Sequence, residues 1–303
     1  MSSAKSNFLD RIAIFKRALS SDFLKDNGVA PSTHNEKARI LRNGISIIAF
    51  TILEDFIKDR TGEILQSIAT SSINFGLLDA EIQKATTINA MRSIFEKANN
   101  LKRSNEDWLT FIQQETTHIA STSGFPYSIS KFSLGWEKSN LAKDDITKFL
   151  KIFNVEAGWN NIQRVTANAN VTLVGPENFF LNAANRRHKA AHNPNANSLY
   201  SDLVDFYRDV KSFAFAYDAL LSKGLSFIIT SNPANVNHSH VLLRFLIKDS
   251  RIWKEYRTIP GRAIRLDTNY NRILAQAKRR SATSNSILVV KNSIGEIHNW
   301  FIN

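Results

Sequence analysis

The stretch Asn185-Arg186-Arg187-His188-Lys189-Ala190-Ala191-His192-Asn193-Pro194 holds the densest set of reactive side chains in the chain. Arg187 is a permanent cation, and His192, five residues on, is a titratable imidazole. Pro194 forces a turn just beyond, because the residue before a proline is pushed out of the α region, so both side chains are expected at a helix end. A guanidinium is planar, always charged and bonds phosphate bidentately. An imidazole, with an ordinary pKa of about 6.5, moves protons at neutral pH. Together they suit phosphodiester transesterification: His192 takes the proton of a 2′-hydroxyl or gives one to the leaving 5′-oxygen, and Arg187 steadies charge on the phosphorane. That chemistry requires RNA rather than DNA and calls for no metal or other cofactor. On spacing alone, a structural or exposed pair favoured by the helix dipole is the stronger reading.

The elements that must hold this stretch are helical. Pro176, at a first helical position, opens a helix that Pro194 ends. Leu203, Phe206, Val210, Phe213, Tyr217 and Leu220 predict the next helix, about 199–222, with Gly224 as its stop. Upstream, Phe8, Ile12, Phe15 and Leu19 mark a helix over about 5–25. The spacing Thr33-His34-Asn35-Glu36 suits a capping box for a helix of about 36–60, with Leu41, Ile45, Ile48, Ile52 and Phe56 as its apolar stripe. Further helices read at about 78–99 (Leu78, Ile82, Ile88, Met91, Phe95), 105–118 and 143–154, with residues 121–138 as an ordered connector. After Gly224 the pattern changes to short β-branched runs at about 225–230, 240–248 and 252–258, a helical 269–280, and a hairpin from 287–291 and 297–302. The expected architecture is mainly α: a helical bundle over 1–225 and a basic α+β domain over 226–303.

Charge agrees with that division. The 303 residues carry 39 Lys plus Arg against 27 Asp plus Glu, a net +12 with pI about 9.9. Residues 226–303 hold 12 basic and 4 acidic residues, +8 of that excess. A polyanion is the expected partner. With no Cys, disulfides, thiolate catalysis, iron–sulfur clusters and Cys-based zinc sites are excluded. Charges interrupt every long apolar run and no apolar signal core precedes Asp10, so no membrane partner is expected and a cytoplasmic location is.

The residues 187–192 resemble the Arg, polar residue, three residues, His pattern of the HEPN (higher eukaryotes and prokaryotes nucleotide-binding) superfamily, in the branch named for ribonuclease L–PSP-type sequences. The long closing helix after the motif, and an early helix in which Glu54 and Asp55 sit among Ala49, Phe50, Ile52, Leu53, Phe56 and Ile57, are similar to that family too. The resemblance covers about residues 5–224. It implies an antiparallel HEPN-type bundle that forms a homodimer, with the two Arg–His motifs facing each other across the two-fold axis. It implies an endoribonuclease leaving 2′,3′-cyclic phosphate and 5′-hydroxyl ends, of the kind found as toxins or effectors in prokaryotic defence, toxin–antitoxin and abortive-infection systems, with an antitoxin or defence-system partner. By position Arg187 and His192 are then catalytic and His188 supports or orients substrate. Where some members have a Tyr two residues after the His, this chain has Pro194.

Around that centre, Glu54 reads as an orienting carboxylate or as an exposed partner of Lys58 at i+4. Arg186 is a second candidate cation, and Lys189 a phosphate neighbour or a solvated cation. His238 and His240 read as a possible metal pair on a strand with no third ligand nearby. Arg244, Lys248, Arg251, Lys254, Arg257, Arg262 and Arg265 alternate with Phe245, Trp253 and Tyr256, a pattern that suits RNA contacts or a solvated strand face. Trp108, Trp136 and Trp159 are expected in the packing. A non-catalytic RNA-binding or partner-binding module is the alternative to an enzyme.

Overall fold

A computed structural model describes residues 2–29, 32–136, 140–173, 175–232 and 234–302. The last residues of the expected connector, 137–138, lie outside them. The chain is mainly α with a C-terminal α+β part: α1 (Ser3–Leu19), α2 (Thr33–Ile68), α3 (Ala80–Lys84), α4 (Ala90–Arg103), α5 (Trp108–Ser121), α6 (Lys143–Ile152), α7 (Gly158–Asn168), α8 (Pro176–His192) and α9 (Tyr200–Ile229) precede β1 (Leu243–Asp249), β2 (Ile252–Tyr256), β3 (Ala263–Asp267), α10 (Tyr270–Thr283), β4 (Ile287–Lys291) and β5 (Ile297–Phe301). The polypeptide forms two compact units, one of residues 1–8, 54–158 and 221–236, the other of 9–53, 159–220 and 237–303.

In the first unit, Phe8 packs on Phe56 with ring centroids 4.7 Å apart. The carboxylate of Glu63 accepts from the Ser3 hydroxyl at 2.6 Å and the Ala4 amide at 2.8 Å, capping donors that the start of α1 leaves open. The expected helix at 78–99 is interrupted: a π-helical turn, Ala85–Asn89, separates α3 from α4. Of its expected stripe, Leu78 and Ile82 are buried while Ile88, Met91 and Phe95 are exposed. Gly224 does not stop its helix. A Cβ there would come within 2.4 Å of the Phe153 carbonyl oxygen, so the glycine permits close packing inside α9, which continues to Ile229 through the residues expected to form a strand at 225–230.

The second unit holds α7, α8 and the sheet, together with parts of α1, α2 and α9. Its interior is aromatic: Phe179 contacts Phe206 and Phe213, and Phe180 packs on Phe50 and Trp159. The strands run in the order β3-β2-β1-β4-β5, with β1 and β4 parallel and the other pairs antiparallel. On one sheet face Leu246, Leu288 and Val290 pack on Ile273 and Ala277 of α10. On the other, Trp300 is buried edge-on against Phe215 and donates to Asp218 at 2.7 Å, so α9 covers that face. Among the described residues α9 alone is long and apolar enough to cross a membrane, and 67% of its apolar window is buried in the protein.

Of the stripe expected on α2, Ile52 and Phe56 are buried and Ile45 is half-buried, but two members face outward. Leu41 and Ile48 are 46% and 55% exposed, whereas Ala38, Arg42, Asn43, Ser46 and Ala49 are buried. The Ser32 hydroxyl accepts from the Asn35 amide, so the helix is capped one residue before Thr33 and its first turn begins earlier than the capping-box spacing suggests.

Candidate active site at the end of helix α8

Helix α8 begins as the sequence predicts. Gly175 sits at φ 62°, a conformation glycine adopts without the Cβ penalty, and Pro176 occupies the first turn. The helix ends at His192, and Asn193 is extended before Pro194. The last two turns therefore carry the motif on a regular scaffold.

The turn that follows is held by the buried polar face of α2. Arg42, 1% exposed, donates from Nε to the Ser198 carbonyl at 2.7 Å and from Nη2 to Asn197 Oδ1 at 3.1 Å. Its Nη1 reaches the Leu24 carbonyl and Asp26 Oδ1, each at 3.0 Å. Asn43 donates to the Ala196 carbonyl at 2.7 Å and accepts from the Ser198 amide at 3.0 Å. Arg39 donates to the Pro194 carbonyl at 2.9 Å. Residues 194–198, which have no regular structure of their own, thereby place their backbone polar groups on side chains, as a loop packed against a helix must. Sequence patterning passed over these three residues because they read as ordinary polar positions between apolar ones.

Within the motif the tandem arginines differ. Arg186 lies 3.7 Å from Asp202 on α9, and burial lowers its affinity for the proton while Asp202 and Asp205 oppose that shift. Arg187 is partly buried, and its Nε has no hydrogen-bond partner. His188 and His192, four residues apart, share one exposed face with ring centroids 4.7 Å from each other. At 3.6 residues per turn Arg187 and His192 are separated by roughly 140° around the helix. Lys189 is exposed.

Glu54 lies in the other unit, buried, and accepts from the Leu141 amide at 2.6 Å. It is not the exposed carboxylate that one reading of its helix suggested. His238 and His240 lie on a single 3-10 turn rather than a strand, since the Asn237 side chain caps that turn. The His240 ring accepts from the Asn237 amide, and the His238 amide donates to Asn161.

The C-terminal cations do not form one continuous surface. Register places Arg244 and Lys248 on the α10 face of β1 and Lys254 on the opposite face of β2. Arg244 is 8% exposed and bonds Glu255 at 3.1 Å; Lys254 pairs with Asp249 at 2.5 Å. Arg251 and Arg257 are exposed. The interleaved rings are packing residues: Phe245 is buried and Trp253 packs tilted against Tyr270 of α10, ring centroids 4.5 Å apart. Trp159 likewise packs inside, against Phe180. A basic, ring-bearing cluster occurs instead where α1, α9 and β5 meet. Lys16 and Lys211 lie 5.5 and 5.2 Å from the Tyr207 ring. The imidazole of His298 is pushed below its ordinary value by burial and by Lys211, Lys16 and Lys248. These residues are scattered along the sequence, so no local run announces them.

A family model described as RiboL-PSP-HEPN matches residues 12–223, about two thirds of the chain and all of the motif. No curated protein and no solved structure matches the sequence.

Proposed function

The chain belongs to the RiboL-PSP-HEPN family, whose domain is associated with nucleases and RNA, and from that premise we propose that it is a metal-independent endoribonuclease. The observation that carries the reading is the placement of Arg187, His188 and His192 at the end of a helix whose following turn is fixed by Arg39, Arg42 and Asn43. In the proposed reaction the 2′-hydroxyl loses its proton to His192, its oxygen attacks phosphorus, and the P–O5′ bond breaks as the 5′-oxygen takes a proton from the protonated imidazole of the second copy's motif. The products are a 2′,3′-cyclic phosphate and a 5′-hydroxyl. Arg187 holds the phosphorane charge, and His188 orients the scissile group.

A single α8 sets Arg187 and His192 far apart around its axis, so two copies facing each other supply both groups to one phosphate. Ile40, Leu41 and Ile48 on α2, with Leu199 and Val204 beside the clamped turn, form exposed apolar surface that supports such a homodimer. We assign the enzyme to the cytoplasm, as a toxin or effector of a prokaryotic defence system with an antitoxin or comparable partner.

The test is RNA cleavage in excess EDTA. Wild-type protein is expected to cut, and His192→Ala and Arg187→Ala to slow single-turnover cleavage by about 10²–10⁴-fold, the range for a lost general acid–base or oxyanion group, with unchanged melting temperature. End analysis should find cyclic phosphate. Intact RNA after incubation with folded, dimeric wild type would sink the proposal. The Lys16, Lys211 and Tyr207 cluster favours a second reading, RNA binding without cleavage. In that case RNA stays whole, and Lys16→Gln with Lys211→Gln lowers the slope of log affinity against log salt by about one for each phosphate no longer neutralised.

A further inference from the structure

A pocket of about 520 Å³ opens beside the sheet, outside the family match except at the end of α7. Arg244, Arg257 and His238 line it together with the hydroxyl residues Ser239, Thr258 and Ser284. No Asp or Glu is among the described residues of its wall. Val241, Leu242 and Ile259 give it an apolar side. That volume lies within the range of small-molecule sites, about 300–1,000 Å³.

The charge behind the wall is unbalanced in a way that a ligand would correct. Glu255, 0% exposed, is shared by two cations, Arg244 at 3.1 Å and Arg280, whose Nε lies at 2.9 Å. One carboxylate therefore serves two guanidiniums and leaves a positive charge. Arg244 spends Nη1 on Glu255, while its buried Nε has no acceptor. That Nε is closed to solvent and cannot itself meet a ligand; what Arg244 brings to the pocket wall is a guanidinium whose charge Glu255 only half compensates, a group suited to a phosphate. Arg257 adds a second guanidinium at the rim. Two helix ends near the pocket would repel an anion, but both are capped. Lys291 donates to the Ala169 and Asn170 carbonyls just after α7, and Ser284 donates to the Arg280 carbonyl at the end of α10.

We infer that this pocket is a nucleotide-phosphate site, in which Arg244 and Arg257 hold the phosphate and the Val241–Leu242–Ile259 side receives the base. The phosphate can belong to a free mononucleotide or to the 5′ end of an RNA strand. The site does not depend on the nuclease reading, because it uses none of the residues of α8.

Calorimetric titration of the full chain separates the two sources. The probes are adenosine 5′-monophosphate and a short 2′-O-methyl oligoribonucleotide, uncleavable for lack of a 2′-hydroxyl, with a 5′-phosphate or a 5′-hydroxyl. Saturable binding of the mononucleotide, competed by inorganic phosphate, identifies a free nucleotide. Binding confined to the 5′-phosphorylated strand identifies the RNA end. In either case Arg257→Gln and Arg244→Met should each weaken binding at least tenfold. Arg257 is exposed, so its replacement is expected to leave the fold intact. No binding of any probe, or binding that both arginine variants retain, overturns the inference.

Discussion

Arg42 and Arg244 are both buried guanidiniums, one under the turn that follows the motif and the other at the sheet, and they are treated in opposite ways. Arg42 meets four acceptors, including the Asp26 carboxylate. Arg244 meets one carboxylate that it must share, and its Nε meets none. A cation matched by its own set of acceptors is a structural tie, and one that must share its carboxylate keeps charge available to something else. The same contrast recurs inside the motif, where Arg186 is held near Asp202 and Arg187 keeps an unpartnered Nε. Net charge misses this distinction: the C-terminal region carries most of the excess, yet Arg244, Lys254, Arg272 and Arg280 there are already paired with carboxylates.

The largest expected effect breaks the tie at Arg42. Arg42→Met strands the Ser198, Asn197 and Leu24 acceptors, and should cost about 3–5 kcal/mol of stability, since each buried polar group left without a partner costs about 1–3 kcal/mol. Arg244→Met should cost no more than about 1 kcal/mol, because Glu255 keeps Arg280 and an unsatisfied donor is removed. Urea denaturation of both variants decides it. Equal losses would mean that Arg244 is as structural as Arg42 and that the comparison fails.

The tandem arginines sharpen the same point at smaller cost. Arg186→Ala gives up a partly exposed ion pair, a change of up to about 1 kcal/mol in stability, and should leave the cleavage rate within severalfold of wild type. Arg187→Ala should leave melting unchanged and slow cleavage by about 10²–10⁴-fold. A reversed pattern, in which Arg186→Ala stays stable but inactive, would make Arg186 the cation of the site.

What the sequence disclosed follows from which forces are local. Helix α8 was legible to its end residues, because Pro176 and Pro194 act through their own backbones. Strands β4 and β5 were legible from β-branched runs around Asn292 to Gly295. Helix α7 was not anticipated, since Gly158-Trp159-Asn160-Asn161 carries little helical signal and its place comes from Trp159 packing on Phe180 and Phe213. Strand β3 was hidden in an exposed, charged edge, Ala263–Asp267. On α2 the periodicity was real, but a period states that a face exists and not what covers it, so Leu41 and Ile48 were expected inside while Arg42 and Asn43 hold the turn. Of the site, the sequence disclosed the motif and its helix end. The clamp and the Arg244 pocket depend on residues more than a hundred positions apart or on register across the sheet, which no local pattern carries.

The smallest effect concerns an exposed tie, and it asks whether burial sets the worth of these pairs. Asp267 at the end of β3 accepts from Arg272 Nε at 2.6 Å and Nη2 at 2.8 Å, and from the Asn269 amide at 2.9 Å, where α10 begins. The Arg272 hydrogen bond and then the Asn269 amide hold its carboxyl down at about 2, against an ordinary 3.8. A carboxylate depressed in the folded state adds stability that is complete above its unfolded pKa and disappears as pH falls through the folded one. The contribution should therefore be intact at pH 5, fade below about pH 4 and be gone near pH 2. Asp267→Asn should accordingly unfold at a slightly lower urea concentration than wild type at pH 5, and the gap should close toward pH 2. Arg272 is well exposed, so solvent screens the pair and the shift should be far smaller than that of Arg42→Met. A gap at pH 5 as large as the Arg42 effect would show that an exposed bidentate pair ties this fold as firmly as a buried one.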